Sequence, residues 1–175
     1  MLDIRKYIRD VVDFPKKGIV FKDITPLVGD PRALSQTVEE LARPFAKAGV
    51  EKVAAIEARG FIFGALVAQR LGAGLAPMRK PGKLPAKTVA ARYNLEYGTD
   101  SIEMHADAFA PGTKVLIVDD VLATGGTLAA ACELVRKLGG QVVGVACVIE
   151  LSFLHGRQKL AGQQVHSLLQ VESET

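Results

Sequence analysis

Residues 115–127 read VLIVDDVLATGGT. The apolar run Val115–Val118 has the length and β-branching of a strand buried on both faces, so a strand is predicted over Lys114–Val118, stopping where Asp119 and Asp120 begin. Behind the acids lies a loop of small residues, Ala123-Thr124-Gly125-Gly126-Thr127. A helix is predicted over Thr127–Leu138, with Leu128, Ala131, Val135 and Leu138 on one face and Gly139-Gly140 at its end. Gln141–Glu150 then returns as a strand.

The same alternation extends upstream. Asp30-Pro31 is a helix start, a capping carboxylate followed by proline at the first helical position. Leu34, Val38, Leu41 and Phe45 recur at helical spacing until Gly49, with Pro44 bending the last turn. Val50–Ile56 reads as a buried strand, Glu57-Ala58-Arg59-Gly60 as a tight turn, Phe61–Leu71 as a helix closed by Gly72, and Leu75–Met78 as a short strand. Over 80–105 Tyr93, Leu95 and Tyr97 alternate before a turn at Gly98-Thr99-Asp100, and Ile102 and Met104 alternate after it, which predicts a long two-stranded flap. Strand and helix alternating in this way make an α/β fold, a mostly parallel sheet flanked by helices on both faces. The first 30 residues and the tail after Glu150 lie outside the pattern. The N-terminal segment is expected to cap one edge.

The bulk numbers narrow the function classes. At 175 residues the chain has the length of one domain, and 49% hydrophobic with 23% charged residues is ordinary for a globular protein. A net charge of +3 is too small to argue for nucleic acid. Cys132 and Cys147 sit in apolar surroundings and read as buried thiols in a reducing compartment, and His105, His155 and His166 are too scattered for a metal cluster. MLDIRKYIRDVVDF has no signal-peptide core, and the longest apolar stretches, Phe61–Ala68 and Val142–Ile149, are too short to cross a bilayer. A cytoplasmic protein that binds no membrane is the expectation.

Ligands of an open parallel sheet bind beyond the carboxyl ends of its strands, and three unusual segments fall there: Glu57–Gly60, Arg79–Lys83 and Asp119–Thr127. Together they gather Arg59, Arg79, Lys80 and Lys83 opposite two acids and a glycine loop. Backbone amides of Ala123-Thr124-Gly125-Gly126-Thr127 and the following helix start can cradle a phosphate. Carboxylates cannot hold phosphate, so Asp119 and Asp120 suit sugar hydroxyls, hydrated magnesium or a developing cation. Adjacent strand residues point to opposite sides, so one of the two acids is expected to face the ligand and the other to look toward neighbouring structure or to reach in through water. Taken singly, an aspartate pair at a strand end is often a cap on solvated surface, and a glycine pair before a helix is weak. The whole arrangement is more specific.

That arrangement resembles the phosphoribosyl-diphosphate signature of the type I phosphoribosyltransferases. DFPKKGIVFKDITPL, IEARGFIFG, MRKPGKLP and YGTDSIEMH, in this order, look like the adenine-using branch of that family over nearly the whole chain. The resemblance implies transfer of a 5-phosphoribosyl group from phosphoribosyl diphosphate to adenine, giving AMP and pyrophosphate. It implies that Asp119 and Asp120 hold the ribose hydroxyls and residues 123–127 the 5′-phosphate. Ala58, Arg59, Arg79, Lys80 and Lys83 would meet the pyrophosphate, and a cis peptide would join Glu57 to Ala58. It also implies Mg2+ held mainly through substrate, with Asp119 or Asp120 reaching it through water. Phe21 would stack on the purine, with the backbone of Val20 pairing its edge and Lys22 following; composition alone places Val20 and Phe21 in the core. Glu103 would manage the ring proton and, with Arg59, form the catalytic pair, whereas alone it reads as a solvated strand residue. The family implies a homodimer in which the Arg79 loop reaches the neighbouring site. A single domain over 1–175 is expected, with 1–30 as base-binding cap and 80–105 as a flexible catalytic flap that closes over the sugar. Two other readings remain open: another purine base (hypoxanthine, guanine or xanthine), or a sensor that binds phosphoribosyl diphosphate without catalysis, for which the length leaves no DNA-binding domain.

Overall fold

The computed structural model describes residues 2–94 and 99–173. The chain opens with a 3-10 turn at Ile4–Tyr7, the hairpin β1 (Arg9–Val12) and β2 (Val20–Asp23), and the short helix α1 (Thr25–Gly29). There follow α2 (Pro31–Ala42), β3 (Lys52–Ile56), α3 (Gly60–Leu71), β4 (Gly74–Met78), β5 (Thr88–Asn94), β6 (Thr99–His105), β7 (Lys114–Leu122), α4 (Gly126–Lys137), β8 (Gln141–Leu151) and β9 (Val165–Val171). The order β4-β3-β7-β8-β9 makes a five-stranded sheet whose pairings are all parallel. The predicted α/β architecture is therefore observed.

Neighbouring side chains along the central strands leave by opposite faces, and each face has its own core. Val53, Leu116 and Val118 pack with α2 and α3 through Leu41, Phe63 and Val67. Ala54, Val115 and Ile117 pack with α4 and the β5–β6 hairpin through Leu128, Val135, Ile102 and Met104. Burial on both faces is why these strands read as unbroken apolar runs instead of alternating ones. Helix α3 lies close on the sheet because Gly64 has no side chain; a Cβ there would come within 2.3 Å of that of Ala55. Asp30 caps α2 as expected, its Oδ1 accepting the amides of Arg32 and Ala33 at 2.9 Å each.

Several boundaries differ from expectation. Strand β7 does not stop at Val118 but runs through both acids to Leu122, because β8 is long enough to pair with it as far as Glu150. Helix α2 ends at Ala42 and tightens into a 3-10 turn over Arg43–Phe45, since Pro44 has no N–H and its ring disfavours the α-helical bond. The tail does not lie outside the sheet: β9 pairs in parallel with β8 from Val145–Val165 to Leu151–Val171. As a half-buried edge strand it mixes polar and apolar residues and carries no clean period.

The N-terminal hairpin lies on the β8–β9 side, where Asp10 and Lys22 line a cleft with Ile149, Leu169 and Val171. The flap is anchored more firmly than a free hairpin, because Ala91, Ile102 and Met104 belong to the core and are at most 1% exposed. Thr99 and Asp100, expected in its turn, belong to β6 and pair with Asn94 and Tyr93. Leu95, Tyr97 and Gly98 lie outside the described residues. No helix among the described residues is long and apolar enough to cross a membrane, and Cys132 and Cys147 are buried and unpaired.

Candidate active site

Asp119 and Asp120 are carried by β7 at the carboxyl end of the sheet, and both are buried, 9% and 5% exposed. Both line one cavity of about 270 Å³, with Ala58, Arg59, Lys80 and Thr127 among the other walls. Oδ1 of Asp119 turns back to accept the amide of Asp120 at 2.8 Å. Gly60 makes that conformation possible, since a Cβ there would sit 2.8 Å from the same oxygen. Burial, and then the neighbouring Asp120 carboxylate, push the Asp119 carboxyl well above the usual carboxylate range. Oδ2 of Asp120 lies 2.8 Å from Nε of Arg59. The N–H is not aimed at it, so the contact is coulombic and Oδ2 is buried without a directed hydrogen bond.

Behind the acids, Asp119, Val121 and residues 123–128 enclose a hollow of about 70 Å³. Gly125 has φ of 77°, a left-handed conformation that glycine adopts without strain. The first turn of α4 begins at Gly126 with no side-chain cap, so this end of the helix presents backbone amides to the hollow.

The cations arrive on the other two rim segments. Arg59 follows a cis peptide between Glu57 and Ala58, the bond the resemblance implied. Its guanidinium also lies 4.7 Å over the ring of Phe21. Arg79 and Lys83 converge on Glu57, Nε to Oε2 at 2.8 Å and Nζ to Oε1 at 3.1 Å, while the Lys80 amide donates to Oε1 at 2.9 Å. Burial works to raise the Glu57 carboxyl, but these three donors outweigh it and hold it below its ordinary value. Nζ of Lys80 bonds the Tyr93 hydroxyl at 2.8 Å and pairs with Asp100, tying the rim to the flap. Arg79, Lys83 and Glu103 are not among the cavity-lining residues. Glu103 exchanges backbone hydrogen bonds with Arg79 at 2.7 and 2.9 Å, and its Oε2 accepts the Gly82 amide at 3.3 Å.

Val20, Phe21 and Lys22 form most of β2 and are half-buried, so composition's preference for the core is not met. Phe14 packs edge-on against Phe21, centroids 5.2 Å apart at 76°, and Lys22 pairs with Asp10 at 2.8 Å. Sequence reasoning placed Glu57 in a turn and missed its part as the hub of the basic loop. The signal was an acid two residues before Arg59 with no other partner in its own segment.

The family model of the phosphoribosyl transferase domain matches residues 32–166. The adenine phosphoribosyltransferase of Thermobifida fusca is 56% identical over 168 residues, which is 96% of each chain. The chain belongs to the adenine phosphoribosyltransferase family. The crystal structure of the family member from Rhodothermus marinus superposes with a TM-score of 0.93 at 53% identity, covering 96% of both chains. The enzyme from Saccharomyces cerevisiae, solved with adenine and an imino-altritol bisphosphate, superposes with a TM-score of 0.90 at 37% identity, covering 95% of this chain and 97% of that one. The hairpin β1–β2 stands beside the rim of this adenine phosphoribosyltransferase-family chain, in contact with it through Phe21 and Arg59.

Proposed function

We propose that the chain transfers the 5-phosphoribosyl group of phosphoribosyl diphosphate to N9 of adenine, releasing pyrophosphate and forming AMP for purine salvage. The observation that carries this reading is a cavity lined by two buried carboxylates and an arginine, with a glycine cradle around an adjoining hollow that shares Asp119 and Thr127 with it. Membership of the family supports the choice of adenine, as does the adenine-bound relative at 37% identity.

In this reading residues 123–127 hold the 5′-phosphate through backbone amides. Asp119 and Asp120 accept from the 2′ and 3′ hydroxyls. As the C1′–O bond lengthens, positive charge grows on the ribose beside the two carboxylates, and negative charge grows on the pyrophosphate beside Ala58, Arg59, Arg79, Lys80 and Lys83. Phe21 stacks on the purine, the Val20 backbone pairs with its edge, and Lys22 completes the segment. Glu103 moves the ring proton. It reaches that position through motion of the loop around Gly82, whose amide now occupies its carboxylate.

The donor set fits Mg2+ brought by the substrate. Oδ2 of Asp120 is buried without a directed hydrogen bond, and no cluster of three His, Cys, Asp or Glu among the described residues makes a cage of its own. One or two carboxylates acting through water, with substrate oxygens completing the shell, is the usual magnesium arrangement. When bound, the metal neutralises charge on the leaving pyrophosphate.

We further propose one domain over 1–175, with 1–30 as base-binding cap and 80–105 as a flap that moves to exclude water. A homodimer is supported by apolar Ile62 on α3 and Leu75 on the edge strand β4, 38% and 39% exposed. A cytoplasmic site of action is supported by the two free buried thiols. The test is competition: protein, phosphoribosyl diphosphate and Mg2+ with equal adenine, guanine, hypoxanthine and xanthine, products separated by chromatography. AMP alone is expected. Another nucleotide would remove the base assignment, and tight binding without any nucleotide product would make the protein a sensor.

A further inference from the structure

We propose that Gly156 and the Glu150–Arg157 ion pair behind it are positioning residues for the glycine loop, so that the phosphate cradle is shaped from the segment after β8 as well as from within. The proposal rests on the assignment of residues 123–127 to the 5′-phosphate. Two backbones cross here with no space for a side chain on either. A Cβ on Gly125 would lie 2.2 Å from the Gly156 carbonyl oxygen. One on Gly156 would lie 2.0 Å from the Ala123 carbonyl oxygen and 2.8 Å from the Gly125 nitrogen. The shape of the loop is therefore set by where Gly156 stands.

Gly156 is pinned from both sides. It opens a 3-10 turn, Gly156–Leu160, whose far end, Leu160, is 3% exposed and belongs to the same core as Leu128 of α4. Next to Gly156, Arg157 grips Glu150 with both prongs, Nε to Oε1 at 2.8 Å and Nη2 to Oε2 at 2.5 Å. The same guanidinium donates to the Val165 carbonyl at 2.9 Å and to Ser167 Oγ at 3.2 Å, and Ser167 donates to Glu150 at 2.6 Å. Glu150 is 4% exposed at the carboxyl end of β8. The network thus fixes the residue after Gly156 to two strands of the sheet. An ion pair whose arginine is 43% exposed is a poor source of net stability, whereas a bidentate guanidinium–carboxylate fork is a good source of fixed direction. An amide cradle needs that direction, because its donors must converge on one anion.

The test separates the two ends of the substrate. Ribose 5-phosphate and inorganic pyrophosphate with Mg2+ are titrated separately by calorimetry into the full-length protein and its Arg157→Met, Glu150→Gln and Gly156→Ala variants, with KM for phosphoribosyl diphosphate and kcat measured alongside. By analogy with residues that orient metal ligands from behind, ribose 5-phosphate should bind about 10-fold more weakly, with pyrophosphate affinity and kcat unchanged and KM raised. Glu150→Gln keeps the size of the side chain and serves if the others do not fold. Equal weakening of both ligands, or weakening of neither, overturns the proposal. Thr124→Ala and Gly126→Ala report on the loop itself. If they too leave ribose 5-phosphate binding intact, the loop assignment is wrong and the positioning role falls with it.

Discussion

Replacing Asp119 with asparagine should stabilise the protein while disabling it. The pair Asp119–Asp120 is buried with one cation, Arg59, 2.8 Å from Asp120, so two negative charges share one positive charge away from water. Asparagine keeps the oxygen that accepts the Asp120 amide and removes the unmatched charge. Relief of such functional strain commonly yields on the order of 1 kcal/mol, and for a chain of this length that shifts Tm by about 2–4 °C. The pH dependence has a definite sign. A carboxyl raised in the fold holds its proton better there than in the unfolded chain, where it titrates near ~3.9. Its contribution to stability is thus whole below that value and is lost as pH rises through the folded one. The gap between variant and wild type should vanish only well below about pH 3.9 and widen as pH rises above it. Thermal melts of both proteins across that range, with and without phosphoribosyl diphosphate, measure it. Ligand at ~100 times Kd should add about 2.7 kcal/mol to the wild type and much less to the variant, and turnover should fall about 100- to 1,000-fold. An asparagine variant no more stable than wild type at neutral pH would refute the reasoning, since the cost of burying both charges would then not exist.

Gly64→Ala should destabilise by about 1–3 kcal/mol through overpacking, because its Cβ would meet that of Ala55 at 2.3 Å; urea unfolding with an unchanged m-value checks it. Glu57→Gln should cost ~1–3 kcal/mol from its bonds to Arg79 and Lys83 and raise KM for phosphoribosyl diphosphate. Because the folded Glu57 carboxyl is held low, that loss should be full above about pH 4.3 and vanish as pH falls through the folded value, read from melts down the pH scale. Glu103→Ala should lower turnover about 100- to 1,000-fold, and wild-type rates would remove Glu103 from the proton transfer.

What could be read from the sequence followed the strength of local signals. The buried strands around Val53, Leu116 and Val145 are apolar on both faces, and helices α2 and α3 carry a capping Asp30 and a closing Gly72 in their own sequence. The glycine loop was legible because a tight strand-to-helix turn with a positive φ, 77° at Gly125, favours Gly. Three features depend on contacts remote in sequence and were not legible. Strand β9 is recruited by the exposed edge of β8. Strand β7 continues through two acids because its neighbour continues beside it. Gly125 depends on Gly156, 31 positions away, and nothing in either local pattern names the other.

The same remoteness explains why the cations were found and their partners were not. Arg59 faces Asp120, Arg79 and Lys83 face Glu57, and Lys80 faces Asp100. The four cations are thus oriented by carboxylates, and a pyrophosphate bound there, as proposed, would exchange with those carboxylates instead of meeting bare charge. Such an exchange is nearly balanced in coulombic terms, so ligand affinity comes from differences in geometry. The pyrophosphate can engage several cations at once, while Glu57 reaches two of them and the amide of a third. Arg59 is the pivot, since it touches both Asp120 and the ring of Phe21. On the proposed assignment, drawing its guanidinium toward the pyrophosphate would release the Asp120 carboxylate and an aromatic face together. One cation would thereby couple arrival of the sugar phosphate to exposure of the ring on which the purine is proposed to stack.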